Sequence, residues 1–195
     1  MSSLVVWYFM RSSGAVLLVL LTVSLILGVF ATKGNAGSRI PRFVTQDFHR
    51  NLSLLSVFLL VVHVGTAIFH SYVDIHWWDA FIPGVAVYRP VWIGIGAASL
   101  DLFAVAILTS LVRHRISPRS WRGIHLATYG AWALAVVHGF GIGTDARTDW
   151  MLWLQGACVL AFVSAVSVRI ATRAVSEAPA STPGRATVVR GARQR

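Results

Sequence analysis

Cysteine is almost missing from this chain: its 195 residues include one, Cys158. An internal disulfide is therefore excluded, and so is a cysteine-built zinc or iron–sulfur centre. Cys158 lies inside an apolar run and reads as a small core residue. Charge is scarce too, at 12% of residues, roughly half of what a soluble domain of this size carries. Acids are the scarcest part of it, seven Asp and Glu against seventeen Lys and Arg. The resulting net charge of +10 does not point to nucleic acid, because the basic residues fall in short loops between apolar runs and not on one soluble face. A dinucleotide-binding motif is also missing. Gly139-Phe140-Gly141-Ile142-Gly143 follows a helical run, so it reads as a helix end and a loop, not as a phosphate cradle after a strand.

What is plentiful is apolar. With 56% hydrophobic residues and a mean hydropathy of +0.68, most side chains need lipid as their solvent. The pattern predicts an all-α integral membrane domain over residues 1–173, built from five transmembrane helices at about 12–31, 46–70, 91–112, 118–141 and 150–170. The first run is longer than a signal-peptide core and lacks a basic leader, so it reads as a retained helix. Thr45 is a plausible N-cap for the second helix, and Ser117-Pro118 reads as N-cap and first helical residue of the fourth. Trp77, Trp78, Phe81 and Tyr88 suggest an interfacial aromatic belt in the 71–90 loop. Beyond Arg173 the composition turns to Ala, Pro, Ser, Thr, Gly and Arg, which predicts a disordered basic tail over 174–195.

Lysine and arginine give the orientation. Fourteen of the seventeen lie in the segments 33–50, 113–122 and 169–195, against Arg11, Arg89 and Arg147 on the other side. The positive-inside rule then places the C-terminus in the cytoplasm and the N-terminus outside. The implied location is a plasma membrane, crossed several times, of a bacterial cell.

Against this background four histidines stand out. His49 and His63 lie on the second predicted helix, His125 and His138 on the fourth. Both helices run outward, so His49 and His125 share an inner depth and His63 and His138 an outer one. The separations correspond to rises of about 21 Å and about 20 Å, which suits two sites and rules out one site using all four. Two neutral imidazoles can fill both axial positions of a haem iron, and a helical bundle supplies the apolar slot that a porphyrin needs. One difficulty stands: His49 and His63 differ by about 40° around an ideal helix, but His125 and His138 by about 140°. A bulge at Gly130, or haems on different sides of that helix, would each reconcile this. His70, seven residues beyond His63, is a rival outer ligand. His76 and His114 fall in loops and read as solvated.

These spacings, His-x13-His on one helix and His-x12-His on the next but one, resemble the ferric reductase-like transmembrane domain family, the membrane haem domain related to NADPH oxidases and metalloreductases. The resemblance covers about residues 7–170, and Trp7-Tyr8-Phe9-Met10-Arg11-Ser12-Ser13-Gly14 is similar to the start of that family's span near the outer haem. It implies two haem b groups, one held by His49 and His125 and the other by His63 and His138. It also implies transmembrane electron transfer in an oxidoreductase, with this chain as the membrane subunit. The family's usual first helix and its flavin and nicotinamide domains are not seen. The donor would then be a separate flavoprotein reductase or a quinol, and the extracytoplasmic acceptor ferric iron, oxygen or a flavin protein.

Other polar residues have two readings each. Arg11 either pairs with a haem propionate or an anionic acceptor, or snorkels to the headgroups. Asp101, in mid-span, is neutral, hydrogen-bonded to an imidazole or hydroxyl, or part of a proton relay. Arg50 and Arg122 hold inner propionates or belong to the cytoplasmic basic collar. Asp145 and Asp149 read as solvated loop charges, with attraction of a metal or partner as the other reading. The alternatives to the whole haem reading are a histidine-using metal or proton transporter and a membrane scaffold whose histidines only pack.

Overall fold

The computed structural model describes residues 3–31, 42–69, 75–143 and 145–177. Among these residues all regular structure is helical. Five long helices follow one another: α1 (Ser3–Ala31), α2 (Arg42–Ile68), α3 (Pro90–Leu111), α4 (Pro118–Ile142) and α5 (Asp149–Glu177). Short 3-10 turns at Trp77–Ala80 and Arg113–Arg115 precede α3 and α4.

Number and order of helices agree with the sequence pattern. Among the described residues, α1, α2, α3 and α5 are each long and apolar enough to cross a membrane, and α4 is not in that group. The 25 residues of α4 give it sufficient length, but two histidines, Thr128, Tyr129 and several glycines dilute its apolar content.

Three boundaries differ from expectation. Helix α1 begins at Ser3, nine residues before the expected start. The polar break at Ser12-Ser13 does not end it, because the Ser12 hydroxyl donates to Tyr8 O at 2.8 Å and that of Ser13 to Met10 O at 2.8 Å, within the same helix. Helix α2 begins at Arg42, so Thr45 lies a turn inside it, buried, and is no N-cap. Helix α5 runs on to Glu177, past the expected domain end; residues 178–195, which hold most of the expected tail, lie outside the described residues. The start of α4 is as expected: Ser117 caps it, its Oγ accepting from Ser120 N at 3.2 Å, with Pro118 in the first turn.

Helix α1 is the hub. It packs on α2, α5 and α4, while α3 packs on α4 and α2 makes little contact with α4. The core joins Leu18 and Leu25 of α1, Phe103 of α3, Ala131, Trp132 and Val136 of α4, and Cys158 of α5, which is thus the small core residue expected. Polar groups inside it are paired, as burial away from water demands. Trp132 Nε1 donates to Thr22 Oγ1 at 2.9 Å, and Ser99 Oγ to Ala131 O at 2.7 Å.

The loop before α3 keeps Trp77, Phe81 and Tyr88 exposed, but it is also folded. Asp79 is only 2% exposed and accepts the His76 backbone N–H at 2.9 Å. His76 stacks on Trp78 with ring centres 4.4 Å apart. Its side chain is 42% exposed, and His114 is exposed as well.

Candidate functional site

The four singled-out histidines come together in two pairs. His49 of α2 and His125 of α4 face each other with ring centres 6.3 Å apart and planes at 84°. His63 and His138 lie near one another, and Arg11 lies near His63. The pairs therefore join α2 to α4, two helices that otherwise hardly touch. His70 lies outside the described residues.

Three of the four rings are held by a neighbouring helix. His49 Nδ1 lies 2.9 Å from Ser24 O, His63 Nδ1 3.1 Å from Met10 O, and His138 Nδ1 2.8 Å from Trp92 O. A carbonyl oxygen can only accept, so in each ring Nδ1 carries the proton and donates it. In the neutral ring Nε2 then keeps a lone pair, the state of a histidine prepared for a metal. Ser24 Oγ, at 3.3 Å, and Ser13 Oγ, at 3.4 Å, add to the surroundings of His49 and His63.

Beside each of these carbonyls, four residues further along the same helix, stands a glycine against the ring. A methyl group built on Gly14 would lie 2.8 Å from His63 Cε1, one on Gly96 2.6 Å from His138 Nδ1, and one on Gly28 3.4 Å from His49 Cε1. A carbonyl at one position and a glycine four residues on thus form a niche that takes an imidazole edge. On α1 the niche occurs twice, at Met10/Gly14 and Ser24/Gly28, fourteen residues apart. That is the spacing of His49 and His63 on antiparallel α2, and the matching 14-residue offsets were a readable signal that the histidine pattern alone does not reveal.

His125 departs from this pattern. Its Nδ1 is buried with no hydrogen-bond partner among the described residues, and its ring stacks on Trp121, centres 4.9 Å apart and planes at 19°. The reason is the offset of about 140° from His138. Helix α4 runs unbroken through Gly130, which has open space around it, so no bulge realigns the two residues. His138 sets its Nδ1 in a niche on α3, and among the described residues no such niche receives His125.

The 6.3 Å between the inner ring centres has a simple chemical reading. Two metal–imidazole bonds of about 2 Å each and two ring radii of about 1.1 Å, set by conjugated bonds near 1.33 Å, would span about 6.2 Å, so this separation leaves room for one metal ion between the rings. Among the described residues no three His, Cys, Asp or Glu side chains converge as a metal site. A metal held by protein ligands alone needs three or four of them. Two imidazoles, as in the His49/His125 pair, could hold a metal that brings further donors of its own, as a porphyrin iron does.

Near His63, Arg11 pairs with Asp145, and both side chains are largely buried. Asp145 is therefore not the solvated charge expected. Arg11 Nε is buried with no partner among the described residues. Arg89, with φ 42° in the left-handed region, ends a turn there and donates to Gly141 O at 2.7 Å, tying down the end of α4. Arg122 donates to Pro118 O at 3.0 Å, and Arg50 is exposed, as members of a basic collar would be. Asp101 is half-buried and meets neither an imidazole nor a hydroxyl within hydrogen-bonding distance among the described residues.

Gln155 on α5 had no role in the sequence reading. It is fully buried, its amide nitrogen and oxygen lack partners among the described residues, and a methyl on Gly139, next to His138, would lie 3.1 Å from its Nε2.

A family profile matches residues 5–145, which takes in α1 to α4, all four histidines, their niches and the Arg11–Asp145 pair. The chain belongs to the family described as Domain of unknown function (DUF8596). No curated protein and no solved structure matches it. The DUF8596 match ends at Asp145, so Gln155 and the rest of α5 lie beyond it.

Proposed function

We propose that this DUF8596 member is a transmembrane electron carrier, a five-helix b-type cytochrome with two bis-histidine haems. His49 and His125 would hold the inner haem, His63 and His138 the outer one. The observation that carries this reading is the 6.3 Å approach of the inner rings from two helices that barely pack together. The resemblance to the ferric reductase-like transmembrane domain points the same way.

When bound, haem supplies a reversible one-electron iron couple. The chain's own residues provide the rest. Carbonyl acceptors fix the tautomer of three rings and raise the basicity of their Nε2. The glycine niches hold those rings against rigid helices, so little has to rearrange when an electron arrives. Apolar side chains keep water out, and the pairs are separated by about 21 Å of helical rise along α2. Arg11 Nε, which has no partner among the described residues, offers a donor beside the outer pair, suited to a propionate carboxylate.

In this reading all five helices cross the plasma membrane of a bacterium, with the N-terminus outside and the C-terminus in the cytoplasm. The histidines that lower the hydropathy of α4 face the interior of the bundle, where polar groups in a membrane are tolerated. Electrons enter at His49/His125 from a separate flavoprotein reductase or a quinol. They leave at His63/His138 to ferric iron, oxygen or a flavin protein outside.

Absorbance spectra of the detergent-purified protein test this. Sharp α and Soret bands on reduction, with two haems per chain by pyridine haemochrome assay, are the expected result. A colourless protein would overturn the reading and direct attention to histidine-based metal or proton transport.

A further inference from the structure

Three of the four histidines sit in carbonyl–glycine niches, and His125 does not. Something else must aim it at His49, because an unsupported ring on a helix samples several rotamers. The only ring stacked on it among the described residues, apart from the perpendicular His49, is Trp121, one turn earlier on α4. Trp121 is itself fixed: its Nε1–H donates to Ser110 Oγ at 3.3 Å, and the Ser110 hydroxyl donates to Ala106 O at 2.7 Å. Helix α3 thus supports both histidines of α4. It holds His138 directly, through Trp92 O and Gly96, and His125 indirectly, through an indole anchored by Ser110.

We propose that Trp121 is the positioning residue of the inner pair, aiming His125 at His49 where no carbonyl–glycine niche can reach. The inference rests on the two-haem reading and adds that the two sites are unequal. The outer site has a backbone carbonyl behind both imidazoles. The inner site has one behind His49 alone, while His125 has no acceptor on Nδ1 among the described residues and is less strongly polarised toward a metal. The inner site is therefore the weaker of the two and the one that Trp121 controls.

The test compares wild type, Trp121→Ala, Trp121→Phe and Ser110→Ala by haem-to-protein ratio, low-spin EPR signals and a potentiometric titration resolved into two components. Trp121→Ala should fall from two haems per chain to about one, with the remaining component matching the outer haem of the wild type. Trp121→Phe keeps a flat ring under His125 and should restore the second haem. Ser110→Ala should keep both haems and move the midpoint potential of one only. Two haems with unchanged potentials in Trp121→Ala would overturn the proposal. Equal loss from both sites in both Trp121 variants would overturn it too, as a tryptophan needed only for folding behaves that way. A wild type without haem would defeat the functional reading instead. The ring 15N resonances of His125 in the haem-free protein then decide on Trp121: they should move in Trp121→Ala while those of His138 stay, and unmoved His125 resonances reject its positioning role.

Discussion

Replacing Gly96 by alanine probes the niche idea most sharply. The new methyl would lie 2.6 Å from His138 Nδ1 and 2.7 Å from Cε1, whereas ordinary contact begins near 3.4 Å. The ring must therefore retreat by roughly 0.8 Å, the difference between those distances. Its Nδ1–H···O bond to Trp92, now 2.8 Å, is strained by the same shift. Overpacking of this kind costs about 1–3 kcal/mol, and loss of the hydrogen bond adds about 1 kcal/mol. A displacement of that size is also large against a metal–nitrogen bond of about 2 Å, whose tolerance is about 0.2 Å. Gly96→Ala should thus remove or convert to high spin the outer haem and leave the inner one intact, read by haem content and EPR. Gly28→Ala serves as the internal control. Its methyl would meet His49 at 3.4 Å, an ordinary contact, so both haems should persist. If Gly96→Ala keeps two low-spin haems with unaltered potentials, the niche does not position His138 and the reasoning fails.

Three other outcomes follow from the same structure. His63→Ala should lose the outer haem and His70→Ala should keep both; loss in the His70 variant alone would reassign the outer ligand. Gln155→Met removes two unpaired buried polar atoms at nearly constant volume, which relieves about 1–3 kcal/mol and should raise the thermal midpoint in detergent by about 2–4 °C per kcal/mol. A lowered midpoint would mean that the amide has a partner in the native protein. Thr22→Val leaves the buried Trp132 N–H without its acceptor and should destabilise by about 1–3 kcal/mol. A double-mutant cycle with Trp132→Phe should recover a coupling of about 1 kcal/mol, and a coupling near zero would show that this bond does not tie α1 to α4.

The sequence by itself determined the helix count, the spacing of the four histidines along their helices and the cap at Ser117, because hydropathy period, rise per residue and capping chemistry are local. It also showed that His125 and His138 do not share a face. What that offset means was decided by tertiary structure. Helix α4 runs unbroken through Gly130, His138 takes a niche on α3, and His125 rests on Trp121. The niches were hard to read for a physical reason. Their acceptors are backbone carbonyls, which every residue carries, so Met10, Ser24 and Trp92 bear no side-chain mark of the role. Gly14 and Gly28 do bear one, but it gains meaning only when α1 is set antiparallel to α2. The Arg11–Asp145 pair and the buried Gln155 depend likewise on which helices become neighbours. That choice is made by the packing of whole helix faces, and no short stretch of sequence contains it.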